Sequence, residues 1–188
     1  KPISDMKKDG QWPLSWTSAI GLVPLIQELG DEVVGCEVGT SYGFNLVYFL
    51  DNLPNIKKVY AIDPYLSYDD GPAGVVPQEI MDKVKDCFLV NTSPYPAVHF
   101  LHKTADEAVN DIADNSLDYI FIDGDHSYQA VAKDMRNYFK KVKSGGIFAG
   151  HDFSWSGVTQ AVNEFREQFN IEAELKFCSN DVWYWIKS

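Results

Sequence analysis

Hydrophobic and polar positions along the chain follow two different periods, and the changes between them predict alternating strands and helices. Short runs rich in β-branched and aromatic residues are typical of buried strands. They cover residues 33–38, 57–62, 98–103, 117–122, 147–150, 171–177 and 182–187. Apolar residues at three- and four-residue spacing predict helices over 17–29, 44–53, 78–90, 105–112, 127–142 and 158–169. Residues 64–77, with two glycines and three prolines, predict a long loop.

The order of these elements predicts the fold class. Strands that alternate with helices form βαβ units in a mostly parallel sheet. The last two strands are joined by a turn at residues 179–180 and must therefore pair antiparallel. We predict a Rossmann-like three-layer α/β/α sandwich whose seven-stranded sheet ends in an antiparallel hairpin. The 188 residues suit one domain, with 1–30 as an N-terminal arm and helix and 31–188 as the main domain.

Charge narrows the choice of partners. The chain has 27 acidic and 16 basic residues, a net charge of −11. A surface this negative repels phosphate backbones and anionic lipid, so we expect neither nucleic acid nor membrane as a partner. Cys36, Cys87 and Cys178 lack zinc-ligand spacing, and the chain opens without an apolar signal segment. We therefore expect a cytoplasmic protein, with the oligomeric state open and a homodimer as one alternative.

A glycine-rich turn follows the first predicted strand. It comprises Glu37, Gly39, Thr40, Ser41, Tyr42 and Gly43. The two glycines let a ligand approach the backbone closely, and the next helix offers free amide groups. The G-x-x-x-G spacing differs from the dinucleotide and P-loop motifs, and Glu37 disfavours a phosphate but favours a ligand with a cation. An ordinary strand-to-helix turn explains this motif equally well when it is taken alone.

Asp63 ends the second strand, in the segment VYAID. A carboxylate at this place can accept both hydroxyl groups of a ribose. The alternative is that Asp63 caps the turn before Pro64. Together with the glycine-rich turn, Asp63 predicts a nucleoside ligand with a positively charged tail, a description that fits S-adenosylmethionine.

These motifs, with the segments LDYIFIDGDHSY and SGGIFAGHDF, are shared with a known family. The chain resembles class I S-adenosylmethionine-dependent methyltransferases, in particular the small-molecule and sugar O-methyltransferases related to catechol O-methyltransferase. The resemblance implies that Glu37 contacts the methionine amino group and that Asp63 holds the ribose. It also implies that Thr104 and Ala105 lie near the adenine, and that Asp123 lies beside the sulfonium and the acceptor.

Polar residues also follow the fourth and fifth predicted strands: Asp123 after the fourth, and His151 and Asp152 after the fifth. Neighbouring strands lie about 4.8 Å apart, so these ends can converge on one site. Such ligands suit Mg²⁺ or another hard divalent cation. The resemblance implies Asp123 and Asp152 as metal ligands. Phe153 stands where the resembled families have a second acid or amide, which makes His151 the alternative third ligand.

His126 lies three residues after Asp123. The resemblance implies that it is the general base, since an imidazole can accept an alcohol proton at neutral pH. The alternative is that His126 and Ser127 only cap the following helix. Asp123 is the second candidate to receive the proton.

The predicted function is S-adenosylmethionine-dependent O-methylation of a sugar, phenol or natural-product hydroxyl, with or without a divalent cation. One alternative is a nicotinamide-dependent oxidoreductase, which the turn spacing and Glu37 disfavour. Another is a non-catalytic nucleoside-binding module, which would not need the polar cluster at the fourth and fifth strand ends. Three tryptophans are candidates for the aromatic walls of an acceptor pocket: Trp12, Trp16 and Trp155. The alternative is that they are buried like ordinary core residues.

Overall fold

The central sheet has the predicted architecture. A computed structural model describes residues 17–69, 74–178 and 180–188; most of the predicted N-terminal arm, with Trp12 and Trp16, lies outside them. The strands are β1 (Val33–Val38), β2 (Ile56–Ile62), β3 (Tyr68–Asp69), β4 (Val75–Val76), β5 (Val98–Leu101), β6 (Leu117–Ile122), β7 (Val142–Gly150), β8 (Lys176–Cys178) and β9 (Val182–Ile186). Seven of them form one sheet in the order β5-β2-β1-β6-β7-β9-β8. The pairs from β5 to β7 are parallel, and β9 pairs antiparallel with both β7 and β8.

Helices cover both faces of this sheet. They are α1 (Val23–Gln27), α2 (Phe44–Asn52), α3 (Gln78–Thr92), α4 (Ala105–Ala108), α5 (Tyr128–Tyr138) and α6 (Ser156–Gln168). Apolar residues of α5 and α6 pack on one face of the sheet, whereas those of α1, α2 and α3 pack on the other. Each face therefore has its own core, as a three-layer sandwich requires. Trp183 and Trp185 of β9 are fully buried in the core on the first face.

The predicted helix over 17–29 is wrong in its type. A 3₁₀ helix, Ser18–Leu22, comes first, and α1 begins at Val23 with Pro24 in its first turn. Proline has no N–H to donate and its ring clashes with the preceding α-turn, so it is accepted only at the start of an α-helix. The amphipathic pattern runs through both segments, so Pro24 is the feature of the sequence that marks this boundary.

The predicted helix over 127–142 is too long. It ends at Tyr138, a 3₁₀ turn covers Phe139–Lys141, and β7 begins at Val142 rather than at residue 147. The carbonyl groups of Lys140 and Lys141 accept hydrogen bonds from the amides of residues 115 and 116, just before β6. These bonds draw the chain into the sheet, so Gly145 and Gly146, which are typical of a helix end, lie inside β7.

The first strand of the terminal hairpin is shorter than the predicted 171–177. It covers only Lys176–Cys178. Ile171, Ala173 and Leu175 pack instead against the core beneath α6, and the Arg166 guanidinium donates to the carbonyl of Ala173 at 2.6 Å. A segment with alternating apolar residues can therefore pack on the core without pairing with a strand of the sheet.

Smaller differences concern element ends and the long loop. The helix predicted over 105–112 is α4 followed by a 3₁₀ turn, Val109–Asp111. The strand predicted over 98–103 ends at Leu101. The predicted loop 64–77 contains the short antiparallel pair β3 and β4. Within the described ranges, no helix combines the length and the hydropathy needed to cross a bilayer.

Candidate functional site

The predicted site residues follow the carboxyl ends of adjacent parallel strands. β1 lies between β2 and β6, so the chain leaves β1 at the point where the sheet order reverses. Ligands of open α/β sheets bind in the crevice at such a switch point. The glycine-rich turn after β1, Asp63 after β2 and Asp123 after β6 all lie along this crevice.

Two glycines of the turn are required by backbone geometry. Gly39 has a φ of 84°, and a Cβ atom there would lie 2.3 Å from the carbonyl oxygen of Asp123. The turns after β1 and β6 are therefore in backbone contact. Gly43 has a φ of 81° and precedes α2, where a Cβ atom would lie 3.1 Å from the ring of Phe88. Both glycines have structural reasons in addition to any ligand contact.

Asp63 holds the glycine-rich turn through backbone amides. Its Oδ2 accepts from the Ser41 N–H at 3.0 Å, and its Oδ1 accepts from the Tyr65 N–H at 2.8 Å. The Tyr65 hydroxyl donates to the Ser41 carbonyl at 2.6 Å. Burial raises the pKa of the Asp63 carboxyl, and the backbone hydrogen bonds oppose that rise. The turn-capping role is therefore confirmed, while ribose binding stays a prediction, since each carboxylate oxygen has a further lone pair.

Glu37 is an almost fully buried carboxyl group, 2% exposed, at the floor of the crevice. Its Oε1 accepts from the side-chain amide of Asn45 at 3.4 Å. Its Oε2 is buried and has no hydrogen-bond partner among the described residues. Desolvation, together with the negative charges of Asp123 and Asp63, raises the pKa of Glu37 well above its usual range. An unpaired buried acceptor is costly, and a cationic ligand group would satisfy it.

The sequence interpretation missed two residues of this site, Asn45 and Ser18. The Asn45 amide donates to the Ser18 hydroxyl at 3.2 Å, and its oxygen accepts from the Ala19 N–H at 3.0 Å. The Ser18 hydroxyl in turn donates to Asp123 Oδ2 at 3.3 Å. These bonds join the N-terminal 3₁₀ helix to both acidic residues. Asn45 is a polar residue inside an apolar helical run, and that was the available signal for a buried polar role.

A cavity of about 190 Å³ opens above these residues. Phe44 and Asn45 line it. The other lining residues are six of the ten that were predicted to bind the cofactor: Glu37, Gly39, Thr40, Ser41, Tyr42 and Asp123. Gly43, Asp63, Thr104 and Ala105 are not among the described residues that line it. Thr104 caps α4 in a reciprocal capping box with Glu107, so its hydroxyl already has a structural partner. The adenine contact of Thr104 and Ala105 stays a prediction.

The three predicted metal ligands meet at one point. The ligand atoms of Asp123, His151 and Asp152 all lie within 4.8 Å of one another. His151 Nδ1 is 3.0 Å from Asp123 Oδ1 and 3.2 Å from Asp152 Oδ1. Its Nε2 lies 2.8 Å from the carbonyl oxygen of Asn180. Both ring nitrogens thus face acceptors, an arrangement that suits a doubly protonated imidazolium.

The surroundings of His151 act on its pKa in opposite directions. Desolvation lowers it, but the hydrogen bond and charge of Asp123, the charge of Asp152 and the bond to the Asn180 carbonyl outweigh that cost and raise it to about 9. At neutral pH this ring therefore carries a proton between two carboxylates. A divalent cation bound at Nδ1 would displace that proton.

His126 lies beside this cluster and is free of the capping role. Ser127 caps α5, since its hydroxyl accepts from the Ala130 N–H at 3.3 Å. The His126 ring lies 4.1 Å from the Trp155 ring, centroid to centroid. Together with Asp123 and Asp152, His126 lines a small hollow of about 10 Å³. Trp155 is 47% exposed, so it is a surface residue beside His126 rather than part of the core.

Comparisons with known proteins agree with this geometry. A family model described as a methyltransferase domain matches residues 36–153. The uncharacterized protein R132 of Acanthamoeba polyphaga mimivirus is 34% identical over 141 residues, which are 71% of this chain and 59% of that protein. The chain therefore spans less than two thirds of that relative.

Two solved structures share the fold. The O-methyltransferase NovP superposes with a TM-score of 0.65 at 20% identity, covering 98% of this chain and 88% of NovP. An O-methyltransferase from Bacillus cereus, solved in complex with SAH (S-adenosylhomocysteine), gives a TM-score of 0.66 at 16% identity, covering 98% of this chain and 89% of that one. These superpositions confirm the predicted fold class.

Proposed function

The chain belongs to the methyltransferase domain family, and on this premise we propose an S-adenosylmethionine-dependent O-methyltransferase that acts on a small molecule. When bound, S-adenosylmethionine supplies a methyl group on a sulfonium; the carbon–sulfur bond breaks as a carbon–oxygen bond forms, and the acceptor hydroxyl loses its proton. Oxygen as the atom that accepts the methyl group is supported by the names of NovP and the Bacillus cereus protein, both O-methyltransferases, and by the polar cluster beside the cavity. The acceptor that we propose is a sugar, phenol or natural-product hydroxyl.

One observation carries the cofactor assignment: the unpaired, buried Oε2 of Glu37 beside a cavity of about 190 Å³. A carboxylate so placed repels a pyrophosphate and attracts an ammonium group, as on the methionine end of S-adenosylmethionine. Asp63, in the turn after the neighbouring strand, retains acceptor capacity for ribose hydroxyl groups. Glu37 favours this ligand over a nicotinamide dinucleotide, whereas a ribose site at Asp63 suits both ligands.

Calorimetry with S-adenosylhomocysteine tests this assignment. We expect the wild-type protein to bind it, and we expect Glu37→Gln to weaken binding about 10- to 100-fold, because a charge-assisted hydrogen bond is lost. Glu172→Gln, an exposed site, is the matched control and should bind like the wild type. Tight binding of NADH with no binding of S-adenosylhomocysteine would overturn the proposal.

We further propose that Asp123, His151 and Asp152 hold a divalent cation. The fit rests on the donor set: two carboxylates and an imidazole suit Mg²⁺, Mn²⁺ or a borderline metal. His151 already directs Nε2 at the Asn180 carbonyl, the arrangement by which a metal-binding histidine fixes its other nitrogen as the ligand. A bound cation would lower the pKa of the acceptor hydroxyl.

His126 is the proposed general base. It lines the same hollow as Asp123 and Asp152, and Ser127 leaves its ring free of helix capping. The ring of Trp155, tilted by 46° against the imidazole, covers one side of it and offers a flat apolar surface to an acceptor ring. The enzyme would then contribute alignment of the acceptor oxygen and removal of its proton.

A further inference from the structure

The tip of the terminal hairpin has an unusual backbone. Asn180 and Asp181, between β8 and β9, have φ values of 61° and 64°. Few residues other than glycine adopt this left-handed conformation, and Asn and Asp do so most readily. Two consecutive residues with positive φ are also what a tight hairpin turn needs. The conformation projects this tip toward the loop that follows β7.

The tip makes four kinds of contact with that loop, residues 151–155. The Asn180 carbonyl lies 2.8 Å from His151 Nε2, and the Asp181 carbonyl accepts from the Phe153 N–H at 3.3 Å. The Asp181 carboxylate accepts from the Ser154 N–H at 3.0 Å to each oxygen. It also accepts from the Ser154 hydroxyl at 2.6 Å. One carboxylate therefore holds both the backbone and the side chain of Ser154.

The loop held in this way carries the side chains that face the site. Asp152 also adopts the left-handed conformation, with a φ of 59°, and Asp is one of the residues that do so most readily. Trp155, three residues later, lies against His126. Phe153, between Asp152 and Ser154, packs edge-on against Phe177 of β8 at 4.7 Å between ring centroids. The hairpin thus contacts the loop at Phe153 and Ser154, and it contacts His151 of the site through the Asn180 carbonyl.

We propose that Asp181 is a positioning residue: it fixes the loop after β7 so that Asp152 faces Asp123 and Trp155 faces His126. Asp181 itself touches neither the acceptor nor the cation. The proposal rests on the proposed function, since it concerns the same cation site. It adds a part of the chain 58 residues beyond Asp123 to the determinants of that site.

Calorimetric titration of the whole chain with Mn²⁺ tests the proposal. Asp181→Gly removes the carboxylate while glycine keeps the positive φ without strain. We expect it to lower Mn²⁺ affinity about 10- to 100-fold, the usual effect of losing a partner that orients a metal ligand. S-Adenosylhomocysteine affinity without metal should stay unchanged, because the contacts of the hairpin tip described above do not involve the cavity lining. Asp181→Asn keeps an acceptor for Ser154 without the charge, so it should retain most of the Mn²⁺ affinity.

Glu174→Ala is the matched control, because it removes a charge from the segment before β8, where the Glu174 side chain is 78% exposed. Its Mn²⁺ affinity should equal that of the wild type. Unchanged Mn²⁺ affinity in a folded Asp181→Gly protein overturns the proposal. An equal loss in Asp181→Asn also overturns it, because the effect would then come from charge and not from position.

Ser154→Ala keeps the test decisive if Asp181→Gly does not fold. It removes the hydroxyl donor from the loop side, so it should weaken Mn²⁺ binding in the same direction, and unchanged affinity there would also overturn the proposal. The wild-type measurements test the proposed function separately. Absence of S-adenosylhomocysteine binding contradicts the cofactor assignment. A wild-type protein that binds S-adenosylhomocysteine but does not bind Mn²⁺ contradicts the cation site, and the positioning role with it.

Discussion

The Asn45 side-chain amide donates to Oε1 of Glu37 at 3.4 Å, and Oε2 of the same carboxyl group stays buried without a partner among the described residues. Asn45 thereby orients the carboxyl group, with one oxygen held by α2 and the other left for a ligand. Asn45 is itself held by Ala19 and Ser18. The N-terminal 3₁₀ helix is thus coupled to the floor of the proposed cofactor cavity.

Asn45→Asp should weaken S-adenosylhomocysteine binding about 10-fold or more, because a hydrogen-bond donor is replaced by a like charge. The pKa of Glu37 is already raised, and only its ionised form attracts an ammonium group. Affinity should therefore rise as the pH rises through and above the usual range of a carboxyl group, and the variant should move that rise to higher pH. Calorimetry across this range checks both effects. Asn52→Asp, at an exposed site at the end of the same helix, should bind like the wild type, and an equal loss there would refute the orienting role of Asn45.

Gly39→Ala should destabilise the fold by about 2–4 kcal/mol and abolish S-adenosylhomocysteine binding. The new methyl group would lie 2.3 Å from the Asp123 carbonyl oxygen, in addition to the strain of a positive φ. Gly30→Ala is the control, since Gly30 has a φ of 111° but no atom within 4 Å of a Cβ atom. It should show only the backbone strain, about 1–2 kcal/mol. Chemical denaturation measures both, and equal losses would contradict the predicted clash.

Binding of a divalent cation near neutral pH should release a proton from His151. The pKa of His151 is raised to about 9, so the folded protein carries this proton at pH 7 and must give it up for Nδ1 to bind a metal. Affinity for Mn²⁺ should consequently increase as the pH rises toward 9. Calorimetry in buffers of different ionisation enthalpy counts the protons released. Asp123→Asn should abolish binding, and binding without proton release would show that His151 is not a ligand.

His126→Ala should reduce turnover about 10²- to 10⁴-fold, the usual contribution of a positioned base. Its S-adenosylhomocysteine affinity should change little, since His126 does not line the larger cavity. Ser127→Ala separates this role from capping: it should lose about 1 kcal/mol of stability and keep its turnover. Production of S-adenosylhomocysteine with an acceptor found by screening measures turnover. Normal turnover in His126→Ala would transfer the base role to Asp123.

Asp134→Asn should stabilise the protein above neutral pH. Burial, reinforced by Asp106 and Asp125 against the opposing charge of Lys133, raises the pKa of Asp134 to about 7. Because the folded value exceeds the unfolded one, protonation contributes stability that is full below about pH 4 and is lost as the pH rises through 7. At pH 8 the variant should therefore gain about 1–3 kcal/mol, and at pH 4 it should gain little.

Asp114 provides a control of opposite sign for that experiment. A hydrogen bond from Lys141, together with the charge of Lys140, lowers the pKa of the exposed Asp114 carboxyl. The stability it contributes is present at neutral pH and is lost as the pH falls through its folded pKa. Asp114→Asn should thus not stabilise the protein at pH 8. A gain in both variants would point to relief of general negative charge instead of burial of Asp134.

The periodicity of apolar residues predicted the seven strands of the main sheet and their alternation with helices, because this pattern depends on residues that are near one another in the chain. A strand such as β6 is apolar on both faces, since a parallel sheet is covered on both sides. The glycine-rich turn, Asp63 and the acids after β6 and β7 were predictable for the same reason. In a parallel sheet, residues that follow successive strands meet at one edge, so strand positions alone bring Asp123 and Asp152 together.

Tertiary structure alone decided the ends of several elements. β7 starts at Val142 because residues 140 and 141 bond to residues 115 and 116, and no local pattern records that partnership. Residues 171–175 alternate like a strand but pack beneath α6. In both places the apolar pattern indicates which residues are buried. It does not determine the secondary structure in which they are buried.

The sequence by itself determined the fold class, the glycine-rich turn and the cluster of acidic and histidine side chains at the strand ends, because each depends on residues near one another in the chain or on the strand order. Only the tertiary structure decided which further residues support them. Ser18 reaches Asp123 across 105 positions, and Asp181 reaches Ser154 across 27. Such contacts depend on how separate elements pack, and a serine or an aspartate in a loop carries no signal of its distant partner until the chain has folded.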